Sequence, residues 1–391
     1  MKKKKSEIPH TDLTFLAYKT ASDVPLDIWE RYNARKHPFR SMNFYMALER
    51  AFPERKYSYI VGKIKDTIKM FLIVSCEPLD LNAFLPGFMK RFILFVRKWK
   101  PEFFTLVTGM SGCLETSMEH WWFEEEFELS HIIVQKIHDK IRSIFPAIRI
   151  MVFRDFTCLD NKGQILKKYL LTHEFIDVLN FPNCIIARDN FTLDEHYNRL
   201  NKKARANVRN SDRLKNQHEL SIEKVKIDEN ILEKVYPLYL QVHERAETFQ
   251  RPPFPKEFFK EIMKHMGNEV HFLLVIDKEA QIQGFILGGL SDRIYCPYMI
   301  GLNYQVAYQY SLYRILLWEA IKVAFNEEVQ EIDLGITSYF IKQDYGSELV
   351  EMKMLIRFYP TFVHKMIKPL IKKIFDSPQP TKRRPYKISA Q

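Results

Sequence analysis

Two arginines and an asparagine at alternate positions, Arg205, Asn207 and Arg209, lie in the run LNKKARANVRN at 200–210. On a helix, residues four apart share a face, so Arg205 and Arg209 present two planar forks suited to a phosphate or carboxylate. The same residues would also serve as a solvated helix face. Asp333 stands in Ile-Asp-Leu-Gly, just where an apolar run gives way to a turn. A carboxylate there can accept a proton or cap the turn, and the residues alone leave both roles open. Lys342 and Tyr345 follow on one short helix, where an aromatic serves either a cleft or a core. His243 and Arg245 end another helix before the RPPFP segment at 251–255. His243 faces a cleft or is an ordinary, partly exposed ring. Trp121-Trp122 reads as packing.

Positioning these groups requires a scaffold. Residues 294–300 are a short apolar and aromatic strand. In the helix that follows, Tyr313, Leu316, Leu317, Ala320, Ile321 and Ala324 recur at three- and four-residue steps, and Leu312, Ile315 and Val323 widen the stripe. A helix apolar nearly all round belongs between layers. Residues 331–336 form the next strand and carry Asp333 at its exit. Strand, buried helix, strand is a crossover, with parallel or splayed strands and a cleft at their ends. Pro297 cannot donate to a ladder, so the first strand is an edge or is bulged there, leaving backbone groups for a ligand.

Taken in order, Tyr-Met-Ile-Gly-Leu-Asn-Tyr at 298–304, the helix over 308–320, Ile332-Asp333-Leu334-Gly335, Lys342 and Tyr345-Gly346 resemble the CelD/BioF-like acetyltransferases of the GNAT superfamily and their relatives, the Fem-type peptidyltransferases. The second half of the chain carries the motifs and the first half follows by architecture. The resemblance implies an α/β fold of two tandem GNAT-like domains, each a mixed twisted sheet flanked by helices. They would span 1–187 and 188–375, with 376–391 a disordered basic tail. It implies N-acyl transfer from a thioester donor, acyl-CoA, lying between the splayed strands. The acceptor would be an amine on a small-molecule or lipid-linked anionic compound, such as a bacterial envelope precursor. In that setting Asp333 is the base, Tyr345 protonates the leaving thiolate and Lys342 lies by the cleft. Arg205, Asn207, Arg209, His243 and Tyr298 contact the acceptor, and Tyr313 and Gly335 contact the donor. No metal is implied. Two other readings stand beside this one: a Fem-type transferase using aminoacyl-tRNA, and a degenerate GNAT-like module that only binds a partner or lipid. One departure bears on all three. The family holds the CoA pyrophosphate on a glycine-rich loop at a helix N-terminus, whereas NYQVAYQYS at 303–311 has no glycine. Gly109-Met110-Ser111-Gly112 lacks the spacing. CoA is therefore expected to bind weakly or through an unusual phosphate grip.

The 391 residues, 46% hydrophobic and 27% charged, suffice for two cores and exclude disorder as the default. A net charge of +11 suits CoA, another phosphorylated ligand, nucleic acid or an acidic membrane surface, and equally serves solubility. No GxGxxG or GxxxxGK[ST] occurs, which excludes the usual nucleotide loops. Five cysteines without CxxC pairs or zinc spacing indicate a reducing compartment and no disulfide framework. The start, MKKKKSEIPHTDL, lacks the apolar core of a signal peptide, and no uncharged run reaches transmembrane length. A cytoplasmic protein is expected. FLPGFMKRFILFVRKWKPEFF at 84–104 and the apolar, basic run at 361–373 could add peripheral contact at the inner membrane face. The former could equally be a docking helix with snorkelling lysines and arginines. The element order after residue 103 parallels that after 293, with Asp155 corresponding to Asp333, as in an internal duplication.

Overall fold

The structure, a computed structural model, describes residues 12–84, 87–246 and 252–387. The chain begins with β1 (Leu13–Tyr18), α1 (Leu26–Tyr32), α2 (Met42–Ala51), β2 (Lys56–Ile64), β3 (Thr67–Asp80) and α3 (Gly87–Val96). Next come β4 (Thr105–Ser111), β5 (Trp121–Phe123), α4 (His131–Ile144), β6 (Ile150–Phe156), α5 (Asn161–Thr172) and β7 (Ile176–Leu179). β8 (Asn183–Ala187), α6 (Leu193–Arg199), α7 (Lys202–Gln217), β9 (Ser221–Val225), α8 (Glu229–Glu244) and α9 (Lys256–Met266) follow. Then come β10 (Val270–Ile276), β11 (Ile282–Leu290), β12 (Ile294–Leu302), α10 (Ala307–Tyr310), α11 (Leu312–Asn326), β13 (Glu331–Gly335) and α12 (Tyr339–Asp344). The last elements are β14 (Glu348–Val350), β15 (Lys353–Phe358) and α13 (Thr361–Phe375).

These elements form two mixed sheets flanked by helices, the two-sheet α/β organisation expected. Each belongs to its own compact unit. Unit 1 comprises the residues up to Tyr32, Glu54–Asn180 and Met352–Ser377. Its sheet runs β1-β2-β3-β4-β6-β15-β7, with β5 on β3. Alternating side chains divide its apolar residues: Ile60, Leu72, Met151 and Phe153 pack under α4 and α5, while Ile150, Val152 and Ile356 pack under α13. Unit 2 comprises Asn33–Pro53, Phe181–Glu351 and the residues from Pro378. Its sheet runs β14-β8-β13-β12-β11-β10-β9. The all-round apolar α11 lies in its core, with Leu316, Ala320 and Ile321 fully buried.

Contacts therefore do not divide at 187/188. β8 pairs with β13 and β14 in unit 2, whereas β15 pairs with β6 and β7 in unit 1. Periodicity identifies a strand but carries no information about a partner two hundred residues away. The tail is also not disordered as far as Lys387. Asn201 donates its N–H to Pro385 O at 2.6 Å, Arg383 N–H reaches Gln343 Oε1 at 2.7 Å, and the Tyr386 hydroxyl donates to Gly346 O. Proline and charge argue against a core in this segment, but Tyr386, Asn201, Gln343 and the buried carboxylate of Asp344, which meets Arg383, hold it. Residues 388–391 and the basic lead through residue 11 lie outside the described residues, as do residues 247–251 between the helix of His243 and the rest of the RPPFP segment.

Candidate active site

β12 and β13 pair in parallel only at Ile294 with Glu331 and Tyr295 with Ile332. The next residues, Cys296 and Asp333, stand where the strands part. On its other side β12 pairs with β11, and the register shifts: Pro297 faces Gly288 and Met299 faces Leu287, leaving Tyr298 as the extra residue. Of the two options Pro297 left open, the bulge is the one taken, because a strand flanked on both sides can place proline only where the ladder is broken.

His37 fills the apex of this fork. Its Nδ1 accepts the Phe39 N–H at 3.2 Å, so the ring proton belongs on Nε2, which donates to Asp333 Oδ2 at 3.3 Å. Asn33 locks the loop by accepting the His37 N–H at 2.8 Å and donating to the His37 carbonyl at 3.1 Å. Phe39 then packs on Tyr298, ring centroids 4.3 Å apart. Gly289 makes room for it, since a Cβ there would come within 2.6 Å of the ring. Sequence reasoning missed His37 because it lies 296 positions from Asp333 in an irregular loop.

Donor atoms of His37, Cys296 and Asp333 lie within 4.8 Å of one another. The set does not fit a metal as it stands. A metal-bound imidazole donates through its second nitrogen, whereas this one accepts there. Burial also holds the Cys296 thiol well above its ordinary range, hence protonated.

Burial works to raise the Asp333 pKa, but hydrogen bonds from His37, the Gly335 N–H (2.9 Å) and Asn183 outweigh it and hold the carboxyl below its usual range. Asp333 is thus both the turn cap and the partner of His37. The turn itself is strained: Gly335, Thr337 and Ser338 have φ of 71°, 65° and 50°. A β-branched residue at positive φ is rare and persists only where its surroundings impose it. Lys342 does so from below, its buried ammonium donating to the carbonyls of Gly335 (3.1 Å) and Ile336 (2.6 Å). Burial lowers the Lys342 pKa. Above Gly335 the space is open, with nothing within 4 Å of where a Cβ would stand. The Tyr313 hydroxyl bonds to Ser338, and burial pushes its pKa up to about 12. The two residues expected to face the donor, Tyr313 and Gly335, therefore meet at one turn.

Tyr345 lies elsewhere. Fully buried, it donates to the Arg314 carbonyl at 3.2 Å and sits 2.8 Å from Ser211 Oγ, tying α7, α11 and α12 together. Burial raises its pKa. Of its two readings, core and thiolate donor, this geometry supports the core. Asn207 likewise turns inward, to Asp344 at 2.9 Å, where Arg314 and Arg383 converge. Arg209 is exposed and reaches the Tyr197 hydroxyl at 3.0 Å, and Arg205 is half-buried one turn away. His243, near the end of α8, packs against Tyr239. Its neighbour Arg245 lies 4.2 Å over the Tyr304 ring, in the glycine-free loop. A polar cleft of about 420 Å³ lined by Arg35, Arg188, Arg293 and Glu331 opens at the opposite, N-terminal ends of β12 and β13.

Unit 1 repeats the acid but not the opening. Asp155, at φ 65°, is fully buried, accepts from the Met118 N–H (3.2 Å) and Asn180 (2.7 Å), and pairs with Arg154 at 3.0 Å.

Two buried histidines in unit 2 make it acid-labile. His196 donates to the Tyr345 carbonyl at 2.9 Å and His271 faces the Tyr295 hydroxyl at 3.2 Å. Burial lowers each pKa to about 4. The unfolded chain takes up these protons near the ordinary value of about 6.5, so stability is full above that pH and is lost as pH falls toward 4. A loss of about 2–3 kcal/mol per ring by about pH 4.5 is expected in urea unfolding. A stability curve flat over that interval contradicts it.

Comparison with known proteins bears on the fold. Residues 202–345 match the family model of the acetyltransferase (GNAT) domain. No curated protein matches the chain. Among solved structures, FemX superposes with a TM-score of 0.54 at 11% identity over 82% of this chain and 93% of its own. A tandem GNAT protein from the clavulanic acid biosynthesis pathway gives 0.54 at 9% identity, over 88% and 98%. The C-terminal domain of a putative lysylphosphatidylglycerol synthetase from Agrobacterium fabrum gives 0.52 at 9%, over 88% and 97%. At these identities the likeness is one of fold.

Proposed function

With residues 202–345 forming an acyltransferase domain of the GNAT family, we propose that unit 2 moves an acyl group from a thioester to an amine on an anionic acceptor. The observation that carries this reading is the fork of β12 and β13, bulged at Tyr298 and facing the open turn at Gly335. A bulge beside a diverging strand leaves backbone N–H groups for the oxygen of a thioester carbonyl, where they stabilise the charge that develops on attack. The amine nitrogen bonds to the carbonyl carbon, the carbon–sulfur bond breaks and the thiolate leaves. The amine proton passes to His37 Nδ1, which gives up the Phe39 N–H, while Nε2–H stays on Asp333, whose carboxylate stabilises the imidazolium that forms. Arg205 and Arg209 supply positive charge for the acceptor.

A second reading, transfer from aminoacyl-tRNA, is favoured by the glycine-free loop and draws on the fold likeness to FemX. The chemistry would be the same attack on an ester. Just before α11, which that loop leads into, Ser311 has φ 55°, and no acidic residue occupies the first turn of the helix. Some anion affinity should remain there. Calorimetry with acetyl-CoA and longer acyl-CoAs is expected to give dissociation constants weaker than about 1 µM, less than about 8 kcal/mol of binding. Tight binding of plain CoA removes the unusual-grip argument. Absence of turnover with every thioester, together with turnover of an aminoacyl ester, selects the second reading.

A further inference from the structure

One end of the unit 1 sheet carries two helices with outward-facing apolar stripes. β3 ends there, with Asp80 opposite Thr105 at the start of β4. β6 begins there, Ile150 facing Thr108, and β15 ends there, Phe358 facing Ile150. α3 lies in the connection from β3 to β4, and α13 leaves β15, so both helices arise at the same end. Leu81 before α3, Leu106 after it, and Ile367, Ile371 and Phe375 of α13 share one apolar cluster. Arg97 fastens the end of α3 with bonds to both Asp80 oxygens (2.8 and 2.6 Å) and to the Phe103 carbonyl (2.9 Å).

Each helix has already committed one side to the protein: Ile93 of α3 and Ile371 and Phe375 of α13 are buried. Each then presents a second apolar side. Phe92, Phe95 and Trp99 recur at three- and four-residue steps, Trp99 being 73% exposed and in edge contact with Phe95 at 4.7 Å. Phe362, Met366 and Leu370 recur every four residues, Met366 being 74% exposed. Such stripes are costly in water unless something covers them. The surrounding charge says what. Residues 87–100 contain five lysines and arginines, residues 361–375 four lysines, and neither segment has an aspartate or glutamate. Lys372 meets Asp177 at 3.3 Å, but Lys98, Lys100, Lys365 and Lys368 are exposed around the stripes. Among the described residues no helix is long and apolar enough to cross a membrane.

We infer that this end of unit 1 docks on an anionic lipid bilayer, Phe92, Phe95, Trp99, Phe362, Met366 and Leu370 entering the headgroup boundary while the lysines and arginines meet lipid phosphates. Stable peripheral binding takes two weak signals, and one rigid sheet presents both together. The inference is independent of the chemistry of unit 2.

The test uses the full chain and sedimentation with vesicles of phosphatidylcholine, alone or with about 30 mol% phosphatidylglycerol. Binding is expected only to the anionic vesicles and should weaken with salt. F95S/W99S and M366S/L370S should each reduce it about tenfold or more, and the four changes together should abolish it. Melting temperature should hold, because these side chains are exposed. Three outcomes overturn the inference: no binding at low salt, binding unaffected by the four changes, or self-association of the free protein that those same changes remove.

Discussion

His37→Gln is expected to lower turnover about a hundredfold while leaving the melting temperature and donor binding nearly unchanged. Glutamine can still donate an amide N–H to Asp333, so the strut at the apex of the fork survives. It cannot take up a proton, so the relay does not. Asp333→Asn should cost a similar factor in turnover and also some stability, because the cap on the Gly335 N–H weakens and His37 loses a charged acceptor. The two variants therefore separate the roles that the carboxylate combines. Full activity in His37→Gln, measured across neutral pH, makes the pair a structural brace and moves the base elsewhere.

The largest stability change should come from Asp344→Ala, about 3 kcal/mol in urea unfolding. The carboxylate is almost fully buried and receives Asn207 at 2.9 Å, Arg314 at 3.3 Å and Arg383. Its removal strands two guanidiniums and an amide, and a buried partner left unpaired costs more than the pair contributed. Asp344→Asn, which keeps an acceptor oxygen, should fall between. Because Arg383 belongs to the tail, trypsin should cut the alanine variant after Lys382 and Arg383 well before it cuts the parent. Unchanged cleavage there would mean that Gln343, Tyr386 and Asn201 hold the tail without Asp344.

The pairs Asp155–Asp333 and Tyr345–Asn207 show where sequence reading succeeds and where it stops. Both aspartates were recognisable as strand-end acids in repeated element orders, and both occupy that position. Three donors surround each acid, Met118, Asn180 and Arg154 at Asp155 and His37, Gly335 and Asn183 at Asp333. What differs is the backbone, because Asp333 stands where two strands separate. Residue type leaves Asn207 free to serve a ligand or a helix face and Tyr345 a cleft or a core; their polar atoms turn to Asp344, Ser211 and Arg314. A residue's type lists the bonds it can make and leaves the choice among them open.

Short-range physics was written plainly in the chain. Proline's missing N–H required β12 to be an edge or to break, the all-round apolar pattern required α11 to be buried, and four-residue spacing put Arg205 and Arg209 on one helix. Each depends on neighbours within a turn or a strand. His37 against Asp333, β15 completing the first sheet and Arg383 reaching Asp344 depend instead on segments far apart in the chain. No local propensity encodes those meetings, because their free energy exists only once both sheets have formed and brought the groups out of water together.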